Sequence, residues 1–145
     1  MEARKDMAEP IKDTTAMIAE MQPLLHPGAY VFCSGVRDDL AADVAKVAKG
    51  SFVEDEGLSF IIPQEETGRF GIVGGIPMRQ ITLMVLSALD GVGLAAAVSS
   101  ALAAQGIPAN VVAATRHDHV FVPADRADEA LAILLALQAE AQARP

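Results

Sequence analysis

His117 and His119 flank Asp118 in the stretch ATRHDHVFVPADRADEA (114–130), and the chain has one other histidine, His26. Alternation in an extended segment puts His117 and His119 on the same side, a workable geometry for two metal ligands. A firm zinc site needs three or four donors, and the remaining soft donors, His26 and Cys33, lie in the other half of the sequence. A catalytic alternative pairs Cys33 as nucleophile with one of these imidazoles as base. YVFCS, however, reads as a buried strand, where thiols are ordinarily inert. The third possibility is a polar hairpin corner in which Asp118 bonds its own backbone. The reading adopted assigns no metal ligand, no cofactor and no catalytic residue.

A second stretch with chemical potential is GVGLAA (91–96), which fits G-x-G-x-x-A after a strand-like run, with Asp118 further along as an acidic partner. A dinucleotide fold requires a parallel array with another crossover helix after its second strand. Here the two following strand-like runs, ANVVAAT and HVFVP, are so close that only a tight antiparallel turn can join them. The local physics survives without that fold: N–H groups at a glycine-opened helix start attract a carboxylate or phosphate. The alternative use of these glycines is a tight strand-to-helix turn and nothing more.

The elements that must position these residues are clearest from residue 80 onward. QITLMVLS is a β-branched and aliphatic run suited to a strand buried on both faces. VGLAAAVSSALAAQG predicts a helix with Val92, Ala95, Ala96, Ser99, Leu102 and Ala103 on one face and Gly106 beyond its end. After the hairpin, Asp125 is placed as an N-cap, with Asp128 and Glu129 in the first turn and Leu131, Leu134 and Leu135 on a common face. The order is β-α-β-β-α.

The first half repeats this order. AYVFCS (29–34) predicts a strand, RDDLAADVAKVAKG (37–50) an acidic loop and short helix, and SFVEDEGLSFIIP (51–63) a hairpin turning at Glu56-Gly57. SFIIPQEE and VFVPADRA both end an apolar strand with proline and continue into acidic, helix-starting residues. An internal duplication follows, with the glycine-rich GRFGIVGGIPMR (68–79) as its joint. Ahead of both halves, residues 11 to 22 predict a short helix carrying Ile11, Met17, Ile18 and Met21, stopped by Pro23. The fold class is α+β: two ferredoxin-like units packed together, with antiparallel sheets and helices on one face. Their expected extents are 1–72, including the leading helix, and 73–145.

Composition limits the partners. The 145 residues are 52% apolar, enough for a real core, so a folded, soluble protein is expected. Nineteen acidic against eleven basic residues give a net charge of -8 without a basic cluster, which argues against nucleic acid and anionic lipid. LAAAVSSALAA is too short and too interrupted to span a bilayer. The single Cys33 and the absence of an apolar segment after the basic residues of MEARKDMAEP point to the cytoplasm. Asp38, Asp39, Glu54, Asp55 and Glu56 read as a solvated rim.

LDGVGLAAAVSSALAAQGIPANVVAATRHDHVFVPADRADEAL resembles an ACT domain, the small regulatory module of amino-acid metabolism. More narrowly, the chain is similar to stand-alone tandem ACT proteins related to the ACT regions of aspartate kinase and of arginine-sensing proteins. The similarity is strongest over 79–137. In the first half it rests on PGAYVFC, EDEGLSFIIP and the position of MRQITL. The resemblance implies a βαββαβ-type fold with paired units, no catalytic residues, and a small-ligand site between ACT units, often for an amino acid. It places the ligand loop at Asp90, Gly91, Val92 and Gly93, a polar strand-opening residue at Asn110, and an acidic hairpin residue at Asp118. His117 and His119 depart from the aspartate-kinase relatives, which more often carry Thr and an aromatic there. The expected function is regulatory binding of an amino acid by a homodimer, and the alternative is an interaction module with a vestigial ligand site.

Overall fold

The computed structural model describes residues 9–144. The first eight residues, part of the segment read as carrying no leader, and Pro145 lie outside the described residues. In chain order the elements are α1 (Thr14–Ala19), β1 (Pro23–Leu25), β2 (Tyr30–Ser34), α2 (Ala41–Val47), β3 (Gly50–Glu54), β4 (Gly57–Pro63) and β5 (Met78–Leu83). There follow α3 (Leu94–Ala103), β6 (Asn110–Ala113), β7 (Asp118–Pro123) and α4 (Ala127–Gln142). The described residues form two compact units: residues 26–80 make the smaller, and the larger joins residues 9–25 to residues 81–144.

The larger unit is ferredoxin-like, with one rearrangement. From β5 the order is β-α-β-β-α, as the sequence predicts. The fourth strand beside β5 is supplied by the N-terminal β1, antiparallel with Pro23 opposite Leu83 and Leu25 opposite Ile81. On its other side β5 neighbours β7, and β7 pairs antiparallel with β6 from Asn110↔Phe121 to Ala113↔Asp118. That hairpin rules out the parallel array a dinucleotide site requires. The strand β1 escapes sequence reading because it has only three residues and opens with a proline, and because Gln22 before it turns the chain at φ +45°.

One core fills the larger unit: Ile81, Leu83, Val120 and Val122 from the sheet, Leu94, Val98 and Leu102 from α3, and Leu134 from α4. Met17, Ile18 and Met21 of the leading segment are buried in it. The face of α3 differs from the expected one, because alanines at many positions fit several helical stripes, while the bulkier Leu94, Val98 and Leu102 decide which stripe is buried. In α4 the buried residues are Ala127, Ala130, Leu134 and Ala141, and Leu135 is exposed. Asp125 does not cap α4; it lies in a 3-10 turn over Ala124–Arg126, and Arg126 takes the cap position while its guanidinium pairs with Glu129.

The smaller unit begins with the same order. β2 and β4 pair antiparallel, as do β3 and β4 across a two-residue connection at Asp55-Glu56, one position earlier than expected. Val31, Val44, Phe60, Ile62 and Phe70 form its core. After Pro63 the two halves part. The residues following Pro123 propagate into the 16-residue α4, whereas QEETGRF makes only two 3-10 turns, Gln64–Glu66 and Gly68–Phe70. Gly68, the left-handed Gly71 at φ +65°, Gly74, Gly75 and Pro77 deny that segment a continuous α-helix. The helix-starting reading of QEE is therefore corrected: the duplication keeps its sheet grammar and loses one helix.

Candidate ligand-binding site

The strand-to-helix turn of the larger unit is built by two glycines with different tasks. Gly91 closes the turn by donating its N–H to the Ala88 carbonyl at 2.9 Å, and a Cβ there would sit 3.2 Å from Met17 Sδ. Gly93 is the N-cap of α3 at φ +107°, where a Cβ would lie 2.7 Å from Thr14 Cγ2. No side chain caps α3, so its first N–H groups face the turn with the positive end of the helix dipole behind them. The Thr14 hydroxyl donates to the Val92 carbonyl and ties α1 to this turn.

Across from the turn, the β6–β7 hairpin presents Asp118 opposite Ala113. Between them lies a cavity of about 150 Å³ walled by Met17, Leu89, Leu94 and Ala113 and lined also by Ser87, Gly91, Gly93 and Asp118. Of the residues singled out from sequence, Gly91, Gly93 and Asp118 meet at this cavity. Asp90 lies outside its lining, paired with Lys12 at 3.0 Å, and that hydrogen-bonded ammonium holds its carboxyl below the usual range. Val92 is 77% exposed. Asn110 sits at the far end of β6, opposite Phe121, about 10 Å along the strand from Ala113. Sequence reasoning missed Met17, Ser87 and Ala113. The only signal for Met17 was its place in the apolar pattern of the leading helix, which says nothing about the turn it touches.

Asp118 is half-buried, and loss of water raises its pKa, while the neighbouring His119 and His117 act in the opposite direction. Its carboxylate is in no salt bridge among the described residues. The imidazoles have structural partners: His119 Nδ1 is 2.9 Å from the buried Thr82 hydroxyl, and His117 Nδ1 donates to the Val85 carbonyl at 3.3 Å. Both bonds fasten the hairpin to β5 and its continuation. Among the described residues no group of three or more His, Cys, Asp and Glu is placed to hold a metal ion. Cys33 belongs to the smaller unit, where burial raises its pKa and favours the unreactive thiol.

The smaller unit has its own hollow of about 310 Å³ at the end of β2, lined by Cys33, Ser34, Arg37 and the loop from Phe70 to Gly75. Among the described residues its one charged side chain is Arg37, which is already engaged through two hydrogen bonds with Asp39. The cavity beside α3 is the better candidate, because its carboxylate is in no salt bridge among the described residues and no side chain among them caps its helix.

ACT-domain models match residues 9–79 and 76–136. A Vibrio cholerae protein of unknown function, named a possible transport protein, is 36% identical, with 83% of this chain and 92% of that one covered at a TM-score of 0.71. The chain belongs to the ACT-domain family. The ligand-free regulatory subunit of aspartate kinase from Thermus thermophilus shares the fold at 14% identity and a TM-score of 0.58, over 79% of this chain and 95% of that one. An Agrobacterium tumefaciens protein is 23% identical at a TM-score of 0.55, over 80% of this chain and 87% of that one. No curated protein matches the sequence. ACT domains are typically regulatory ligand-binding modules, and the tandem ferredoxin-like architecture is that of the family. Among the described residues no helix is long and apolar enough to cross a membrane.

Proposed function

We propose that this ACT protein is a non-catalytic, cytoplasmic regulator that binds an amino acid through the cavity beside α3 of the larger unit. The observation that carries this reading is the pairing of opposite polarities across one small cavity. The N–H groups of α3, which no described side chain caps, suit a carboxylate, and Asp118, in no salt bridge among the described residues, suits an ammonium. A homodimer is part of the reading. Among the described residues β3 is paired on one side only, and Phe52 and Val53 on it are 72% and 78% exposed. The same edge favours a second reading, an interaction module whose cavity is vestigial.

Melting of the protein against a panel of amino acids separates the two. A binder shows a concentration-dependent rise in midpoint, and an interaction module shows none. Asp118→Asn is the sharper probe, since it keeps the side-chain shape and removes the charge. A charge-assisted hydrogen bond shielded from water is worth roughly 1.5 to 3 kcal/mol, so affinity should fall by about one to two orders of magnitude. Equal affinity in parent and variant would move the ligand elsewhere.

A further inference from the structure

We infer that Met17, on the helix that precedes both repeats, sets the size limit of the cavity and restricts its ligand to an α-amino acid with a very short side chain. This rests on the amino-acid reading above and adds the substrate class. A void of about 150 Å³ takes a guest of roughly benzene size, and the ammonium, α-carbon and carboxylate of an amino acid already take up most of that space. What remains accepts a hydrogen, a methyl or a hydroxymethyl group.

The wall that sets this limit comes from α1. Met17 is 1% exposed, and its thioether end lies 3.2 to 3.3 Å from where a side chain on Gly91 would begin. Its helix is fixed at both ends. Asp13 accepts the Ala16 N–H at the start, the Thr14 hydroxyl holds the Val92 carbonyl, and Gln142 donates to the Ala19 carbonyl at the end. Met17 is also packed in the larger unit's core, so it cannot swing away without exposing apolar surface. The other walls, the buried Leu94 and the exposed Leu89 and Ala113, are apolar, and among the described residues Asp118 is the one charged side chain on the lining. On the buried side formed by Met17 and Leu94, a ligand side chain bearing a second charge would lose water without a partner, which disfavours acidic and basic amino acids there.

The test titrates glycine, alanine, serine, leucine, glutamate and arginine into the parent, Met17→Ala and Ala113→Val, reading affinity by calorimetry and melting midpoint. In the parent, alanine or serine should bind at least about tenfold more tightly than leucine, the scale on which an oversized group is rejected from a close-fitting pocket. Met17→Ala should narrow or invert that preference by admitting leucine. It removes a buried side chain and can fail to fold, so Ala113→Val provides the second arm. Ala113 is exposed, and the added methyls should weaken alanine binding about tenfold with the unliganded melting midpoint unchanged. If leucine binds the parent as tightly as alanine does, or Ala113→Val leaves alanine binding intact, the size limit is wrong while the amino-acid reading stands. If no amino acid binds the parent, both fail.

Discussion

Asp118 and Gly93 act on stability in ways their neighbours make calculable in sign. Burial is the larger influence on Asp118 and raises its pKa, so between the ordinary carboxylate range and that raised value the native state holds a proton that the unfolded chain has released. Stability therefore falls as pH rises through the window between the ordinary carboxylate range and the folded value, and the penalty is fully present above it. Asp118→Asn removes the penalty. Its unliganded melting midpoint should lie slightly above the parent's at neutral pH, and the gap should close by about pH 4. Ligand binding runs the other way, since it needs the ionised carboxylate. For Gly93, both a left-handed backbone and the 2.7 Å approach to Thr14 Cγ2 oppose any side chain. Gly93→Ala should lower unfolding free energy by about 2 kcal/mol or more. Adding Thr14→Ser, which deletes the clashing methyl, should recover part of that loss in urea titrations and leave the backbone share.

The helices and strands divide by how locally they are specified. The hairpin around Asp118 and the helix α3 are legible because strong β-formers and alanines sit where turn residues frame them, at Asp90-Gly91 and Gly106. The candidate cavity is legible only in part: Gly91, Gly93 and Asp118 follow from that local grammar and from family resemblance, whereas Asp90, Val92 and Asn110 lie outside its lining. β1 and the role of Met17 are not, because both depend on partners far away in the sequence, Ile81 to Leu83 for the strand and Gly91 for the side chain. α1 shows the same dependence. It has six residues, too few to persist alone, and two glutamines of α4 finish its C-terminal end. Gln138 Oε1 accepts the Gln22 N–H at 2.7 Å, and Gln142 Nε2 donates to the Ala19 carbonyl at 3.0 Å. The Ala19 carbonyl is one that the helix end leaves open and the Gln22 N–H belongs to the turn that follows, and each bond contributes about 1 kcal/mol. The double variant Gln138→Ala, Gln142→Ala should therefore lose about 2 kcal/mol. Amide exchange should rise first at residues 16 to 22, and exchange spread evenly over the unit would remove this account of α1.

At the scale of the molecule, stability lies in two apolar cores rather than in charge. The ion pairs among the described residues have largely exposed partners, and such pairs contribute little and are screened by salt. The larger core draws Met17, Ile18 and Met21 from one end of the chain and Leu94 to Ala141 from the other, and each fully buried side chain of that size contributes about 1.5 to 3 kcal/mol. Deleting the residues before His26 should therefore unfold the larger unit, since the removed burial is comparable to the whole stability of a small domain. The converse prediction is sharper. Leu25 and Ile81 are direct antiparallel partners, so the ends left by removing residues 26–80 already form the mouth of a hairpin. Joining them through Asn-Gly, whose backbone preference suits a two-residue turn of the right twist, should give a shortened protein that still folds. It retains β1, β5 from Ile81 onward, all of α1, α3 and α4, and the whole lining of the cavity beside Asp118. Circular dichroism and cooperative melting measure the fold, and titration with the parent's best amino acid measures the cavity. A folded product that binds within about threefold of the parent would locate ligand contact in the larger unit alone. A folded product that no longer binds would mean that the cavity of the larger unit does not suffice for binding.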